Sequence, residues 1–171
     1  MAVTFSAKPP SESSTTAIRI TMPMDANVAG NVFGDAILRF VDETAAIVAY
    51  KHARTNVVTA SDDRMDFFSP VYVGDLLRLI ASINFVHKTS MEIGVRVEAE
   101  NPMTGRVKHT GTCFLTYVAL DKNGKPTLVP NLTPETDEEK RRWADAALRR
   151  QFRLGQIRRK SKLQENFKKS Q

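Results

Sequence analysis

Between positions 36 and 50 the chain reads Ala-Ile-Leu-Arg-Phe-Val-Asp-Glu-Thr-Ala-Ala-Ile-Val-Ala-Tyr, a helix-length run whose apolar residues are too dense for a single stripe. A helix of this kind has to be wrapped by other structure on most sides. The sequence around it supplies the wrapping. Residues 17–22 alternate apolar and polar side chains as a half-buried strand does, and Pro23 ends them. After the helix come extended segments at 57–60, 75–86, 91–100 and 106–120, rich in β-branched and aromatic residues. Gly74-Asp75, Asn101-Pro102-Met103-Thr104-Gly105 and Lys122-Asn123-Gly124-Lys125-Pro126 supply the turns between and after them. One long buried helix followed by consecutive long strands predicts an α+β architecture, an antiparallel sheet wrapped around a central helix.

Such a sheet leaves edge strands open, and these invite a second copy, so a homodimer is expected. With 171 residues the chain suits one core with appendages. The reading is a disordered leader over 1–16, a folded domain over 17–130, a C-terminal helix over 131–154 and a flexible basic tail over 155–171. Thr136-Asp137-Glu138-Glu139 has the capping-box pattern that starts a helix. A lone Cys113 excludes an intrachain disulfide and a cysteine zinc cluster, and no run approaches the roughly 20 apolar residues of a membrane span. The expected setting is therefore the cytoplasm, with no metal.

The formal charge of +6 is unevenly placed. From Glu139 onward twelve Lys and Arg face three Asp and Glu, giving +9, whereas residues 1–138 carry −3. The tail can attract an anionic partner or can simply be a solvated helix face. No aromatic residues interleave its cations between Phe152 and Phe167, which argues against nucleic acid.

Asp42 stands out within the apolar helix. Three residues after Arg39, it can form a water-facing helical ion pair. Held instead among Phe40, Val41, Ala45, Ala46, Ile47 and Val48, a carboxylate becomes a stronger base than a solvated one, which suits general-base chemistry. Asn27, between Asp25 and Gly30, is either a turn residue closing an Asx-turn or a site carboxamide. Gly34 and Asp35 open the helix, where free amides can hold an anion or a developing oxyanion. Lys88-Thr89-Ser90 offers a cation and two hydroxyls in a turn, suited to a phosphate or a pantetheine amide, although plain turn chemistry explains it as well. His52, His87 and His109 show no spacing to Cys113 or to a serine that argues for a triad. The glycines form neither a dinucleotide fingerprint nor a P-loop.

The blocks 25–34 (Asp-Ala-Asn-Val-Ala-Gly-Asn-Val-Phe-Gly) and 41–49 (Val-Asp-Glu-Thr-Ala-Ala-Ile-Val-Ala) closely resemble the hot-dog-fold acyl-CoA thioesterases. Asn56-Val-Val-Thr-Ala-Ser61, Pro70-Val-Tyr-Val-Gly74-Asp75, Lys88-Thr-Ser-Met-Glu-Ile93, Phe114-Leu-Thr-Tyr-Val-Ala-Leu120 and Pro134-Glu-Thr extend the similarity over roughly residues 17–150. The resemblance implies hydrolysis of fatty acyl-CoA to free acid and CoA by a hot-dog dimer, often assembled as a trimer of dimers. It implies that Asn27 and Asp42 act together across the dimer interface, with CoA as part of the substrate and no separate cofactor. The thioester carbonyl would rest on the Gly34 and Asp35 amides, and the CoA phosphates would meet Lys88, Thr89, Ser90 and the tail cations Arg149 and Arg150. Two departures stand out: the family usually has a second glycine in place of Asp35, and often an apolar residue in place of Asp62. A carboxylate at position 35 favours the helix dipole but competes with an oxyanion, so a catalytically weak acyl-CoA sensor or carrier is the alternative. Hydration of enoyl thioesters on the same fold normally uses a His, and none lies between Met1 and Tyr50.

Overall fold

In a computed structural model the chain is described over residues 6–62 and 65–169, by backbone alone from residue 161. The segments are β1 (Thr15–Ile20), α1 (Gly34–Ala53), β2 (Asn56–Asp62), β3 (Asp66–Phe67), β4 (Leu76–His87), β5 (Ser90–Glu100), β6 (Val107–Leu120) and α2 (Asp137–Lys169). All pairings are antiparallel, in the order β1-β4-β5-β6-β2, with β3 also on β6. The sheet curls around α1, whose Ile37, Phe40, Val41, Ala45, Val48 and Ala49 are buried against Leu77, Leu79, Ile93, Val95 and Leu115 of the strands. This is the antiparallel sheet around a central helix that the dense apolar run predicted.

The enclosure of α1 is incomplete within one chain. Leu38, Ile47 and Tyr50 remain 36%, 46% and 48% exposed. The edge strands β1 and β2 keep a row of unsatisfied backbone groups, a template for further pairing.

β1 differs from expectation in phase. Ile18 and Ile20 face away from α1 and are exposed, because they stand opposite Arg78 and Leu76 on the outer face of β4. The inner face of β1 carries Arg19, which stacks over Phe40 at 4.6 Å and pairs with Glu43 of α1. An arginine stem can cover an aromatic ring while its head stays wet, so alternation alone gave the wrong face.

Part of the expected leader belongs to the fold. Lys8 exchanges backbone hydrogen bonds with Asn131 and Thr133, Pro10–Glu12 form a 3-10 turn, and Ser13 is buried. The Lys8 and Lys51 ammonium groups bond to the carbonyls of His52 and Ser14, the first of these at the negative end of α1. His52 is buried and donates from Nε2 to the Pro130 carbonyl at 2.9 Å, and burial holds its imidazole below the ordinary value. Residues 1–5 of the expected leader lie outside the described residues.

The contacts divide the chain into Met1–Thr133 and Pro134–Gln171. In the second unit the capping box forms as the sequence predicts: Glu139 N–H donates to Thr136 Oγ1 at 3.2 Å, and Thr136 N–H donates to Glu139 Oε2 at 3.0 Å. Helix α2 does not stop near residue 154 but runs through Gly155 to Lys169. One glycine costs about 1 kcal/mol in a helix, and the flanking Arg, Lys, Gln and Leu residues are good helix formers. Among the described residues no helix is long and apolar enough to cross a membrane.

Gly111 sets the spacing of β3 against β6. A Cβ there would lie 2.8 Å from the Asp66 carbonyl oxygen and 2.9 Å from Met65 Cε. Gly111→Ala is therefore expected to push β3 outward at a cost of about 1–3 kcal/mol, read as a lowered denaturation midpoint. The Phe67 ring that β3 lays against the start of α1 would move with it. An unchanged midpoint would show that β3 yields freely.

Candidate active site

The loop leading into α1 is held by its own side chains. Asn27 Oδ1 accepts the Ala29 N–H at 2.9 Å and the Asn31 N–H at 3.2 Å, and Gly30, at φ +79°, closes the turn. The Asx-turn reading of Asn27 is thus realised. It commits only the carboxamide oxygen, so the two Nδ2 hydrogens are what Asn27 can offer a ligand. Asp25, buried beneath the loop, accepts the Met22 N–H and lies 3.7 Å from Arg39.

At the start of α1 no side chain caps the helix, and neither Gly34 N–H nor Asp35 N–H has a partner among the described residues. The Asp35 carboxylate accepts the next amide, that of Ala36, at 2.7 Å. It therefore occupies the third amide of the turn and leaves the two preceding ones.

Two turns along the helix, Asp42 is half-buried. The helical ion pair with Arg39 is not formed, since Arg39 turns to Asp25 and stacks over Phe40 at 5.0 Å. Nor is the carboxylate sheathed in apolar side chains, as the flanking residues had suggested. Its Oδ1 accepts the Thr59 hydroxyl at 2.9 Å and the Tyr117 phenol at 2.7 Å, and the phenol is also 2.9 Å from the Asp42 carbonyl oxygen. Tyr117 is 1% exposed, and burial pushes its phenol up from the ordinary value; the Thr59 hydroxyl opposes this and the hydrogen bond to Asp42 adds to it. It stays protonated and donates. Oδ2 has no partner among the described residues, and Asp42 lines a recess of ≈ 380 Å³ with Leu38, Val41, Thr59, Cys113 and Leu115.

Sequence reasoning missed Thr59 and Tyr117 because they lie 17 and 75 residues from Asp42. The signal available was the pair of family-like blocks, 56–61 and 114–120, that contain them.

Within the first unit the remaining candidates lie at opposite ends of the sheet. Asn27 and Asp42 share no hydrogen bond. Lys88, Thr89 and Ser90 close the β4–β5 hairpin at the end of the sheet where Val118 pairs with Ser90. The Asn27 loop is at the other end, where Asn31 pairs with Tyr72 and Ile20 with Leu76. Along β4 that separation is roughly 35 Å. Lys88 adopts φ 50°, and the turn is pinned by backbone bonds from Val129 to the Lys88 carbonyl and from Ala119 to the Thr89 carbonyl. Arg149 and Arg150 lie on α2 in the second unit. Among the described residues no three His, Cys, Asp or Glu side chains converge as a metal-ligand set.

Comparison with known proteins adds to this geometry. The profile of the thioesterase superfamily matches residues 29–106. The Bacillus subtilis acyl-CoA thioester hydrolase YkhA, itself uncharacterised, is 43% identical over 117 residues, which are 68% of either chain. A hexameric acyl-CoA thioesterase crystallised without ligand superposes with a TM-score of 0.86 at 42% identity, covering 89% of this chain and 97% of that one. The Staphylococcus aureus acyl-CoA hydrolase, solved with butyryl-CoA, CoA and CoA disulfide, gives 0.84 at 37% identity, covering 94% and 98%. The chain therefore belongs to the thioesterase superfamily, among its hot-dog-fold acyl-CoA thioesterases.

Proposed function

We propose that this chain hydrolyses fatty acyl-CoA to the free acid and CoA, with Asp42 as the reacting carboxylate. The observation that carries the proposal is the divided carboxylate: Oδ1 is held by two hydroxyls, while among the described residues Oδ2 has no partner, in a side chain that lines a recess. A thioester carbonyl seated against the Gly34 and Asp35 amides is polarised toward its oxyanion. Asp42 either takes the proton of an attacking water or attacks the carbonyl itself. The carbon–oxygen bond forms, the carbon–sulfur bond breaks, and CoA leaves as a thiolate that collects a proton; where Asp42 is the nucleophile, water then cleaves the acyl–Asp42 anhydride to release the free acid and restore the carboxylate. The Asn27 Nδ2 hydrogens orient the water or the carbonyl. A base and an oxyanion hole suffice for a leaving group this good, so the reaction as proposed uses no cofactor.

The parts come together in a pair of chains. The Tyr117 that holds Asp42 stands beside Val118, the partner of Ser90, so Asp42 leans toward the hairpin end and Asn27 toward the other. Two copies joined antiparallel along β2 bring unlike ends together. Asp42 and the turn of Lys88, Thr89 and Ser90 from one subunit then meet the Asn27 loop of the second. The acyl chain follows the apolar side of the recess, and Arg149 and Arg150 of α2 remain candidates for the CoA phosphates. The hexameric relative supports a trimer of such dimers. The Staphylococcus aureus enzyme has also been crystallised with an Asn, an Asp or a Thr replaced by Ala, the residue types found here at positions 27, 42 and 59.

Thiol release over a panel of acyl-CoAs of increasing chain length tests this reading. The expected result is turnover on fatty acyl-CoAs. Tight binding with no CoA released would point instead to a sensor or carrier quenched by the Asp35 carboxylate.

A further inference from the structure

The Tyr117 phenol is a donor to Asp42 that comes from the core of the sheet. Tyr117 lies at the middle of the three strands β5, β6 and β2, paired with Met91 on one side and Thr59 on the other, and its ring is sealed in the core. Its hydroxyl reaches out of that core to Asp42 Oδ1 and to the carbonyl oxygen of the same residue. One proton cannot serve both acceptors at full strength, and the ionised carboxylate is the stronger. Thr59, on an exposed stretch of β2, donates to the same Oδ1.

The terminal torsion of an aspartate is broad and nearly two-fold, so a carboxylate held by nothing exchanges its oxygens freely. Two donors on one oxygen abolish that equivalence. We propose that Tyr117 is a positioning residue for Asp42: its phenol, assisted by Thr59, occupies Oδ1 and so selects Oδ2 as the reacting oxygen. The inference rests on the reading of Asp42 as the reacting carboxylate. Thr59 supports the same geometry from β2, the strand along which the proposed dimer joins.

Tyr117→Phe in the full-length chain tests the assignment, since it removes one oxygen and leaves the ring that fills the core. The expected result is a kcat for acyl-CoA hydrolysis lower by roughly 10- to 100-fold, as befits loss of a hydrogen bond to a charged group. KM stays within about threefold, because substrate binding is not what the phenol serves. The acid limb of the kcat–pH profile moves to higher pH, because the ionised carboxylate has lost a donor. A merely structural tyrosine would not shift that limb. Thr59→Val moves kcat and the limb in the same direction. A folded Tyr117→Phe protein with parental kcat and pH profile overturns the proposal.

If the Phe variant does not fold, site-specific 3-fluorotyrosine at position 117 keeps the ring and strengthens the donor. The acid limb is then expected to move to lower pH, and an unmoved limb overturns the assignment. Asp42→Ala separates the two levels. Full activity in that variant removes the reading of the site, whereas an inactive Asp42→Ala beside a parental Tyr117→Phe removes only the role given to the tyrosine.

Discussion

Asp42→Ala is expected to lower kcat for acyl-CoA hydrolysis at least a hundredfold while leaving the protein folded. Loss of a positioned base costs about two to four powers of ten, and a hundredfold corresponds to about 2.7 kcal/mol of transition-state stabilisation. The folded state has less at stake. Asp42 is half-buried on the rim of the recess, not in the packed interior. When the carboxylate goes, the Tyr117 hydroxyl still has the residue-42 carbonyl oxygen within 2.9 Å, so no buried donor is orphaned. Asp42→Asn sharpens the comparison. An asparagine can present its carbonyl oxygen to Thr59 and Tyr117 in the place of Oδ1, and it then directs an amide NH2, which is no base, into the position of Oδ2. Steady-state thiol release alongside thermal denaturation measures both halves. Parental kcat in either folded variant would remove Asp42 from the mechanism.

The parts of this site that were legible in the sequence are those fixed by neighbours along the chain. The density of apolar residues from Ala36 to Tyr50 demanded a surrounding sheet, and the sheet is there. The Asx-turn at Asn27 and the capping box at Thr136 and Glu139 are contacts over two to four residues, within reach of local pattern reading. What was not legible is a choice between partners in space. Arg39 could reach Asp42 by helical spacing, yet it turns to Asp25 because the incoming loop places a buried carboxylate on its other side. The environment of Asp42 looked apolar because its sequence neighbours are apolar, while the polar groups that bind it arrive from β2 and β6. The face of β1 was misjudged for a related reason. Alternation gives the two sides of a strand but not which side meets the helix, and an arginine stacked on Phe40 took the place expected for isoleucine. Lys8 is likewise held by Asn131 and Thr133, far along the chain.

The separation of Asn27 from Asp42 leads to the last expectation. Within one chain they share no hydrogen bond, each is engaged by its own neighbours, and the catalytic proposal needs both at one thioester. If each site takes Asp42 from one subunit and Asn27 from the other, a protein carrying only Asn27→Ala and a protein carrying only Asp42→Ala are each inactive by about a hundredfold. Co-expressed in equal amounts with separate tags, they sort so that about half of the dimers are mixed. A mixed dimer has one site with both defects and one with neither, so about a quarter of parental activity per dimer returns. A site built within a single chain gives no such rescue, because every copy then carries a defect in its own site. In a trimer of such dimers nearly every particle carries both tags, so the fraction purified through both tags in sequence should likewise show about a quarter of the parental rate. Rates that stay at the level of the single variants in this doubly selected fraction would overturn a site shared between subunits.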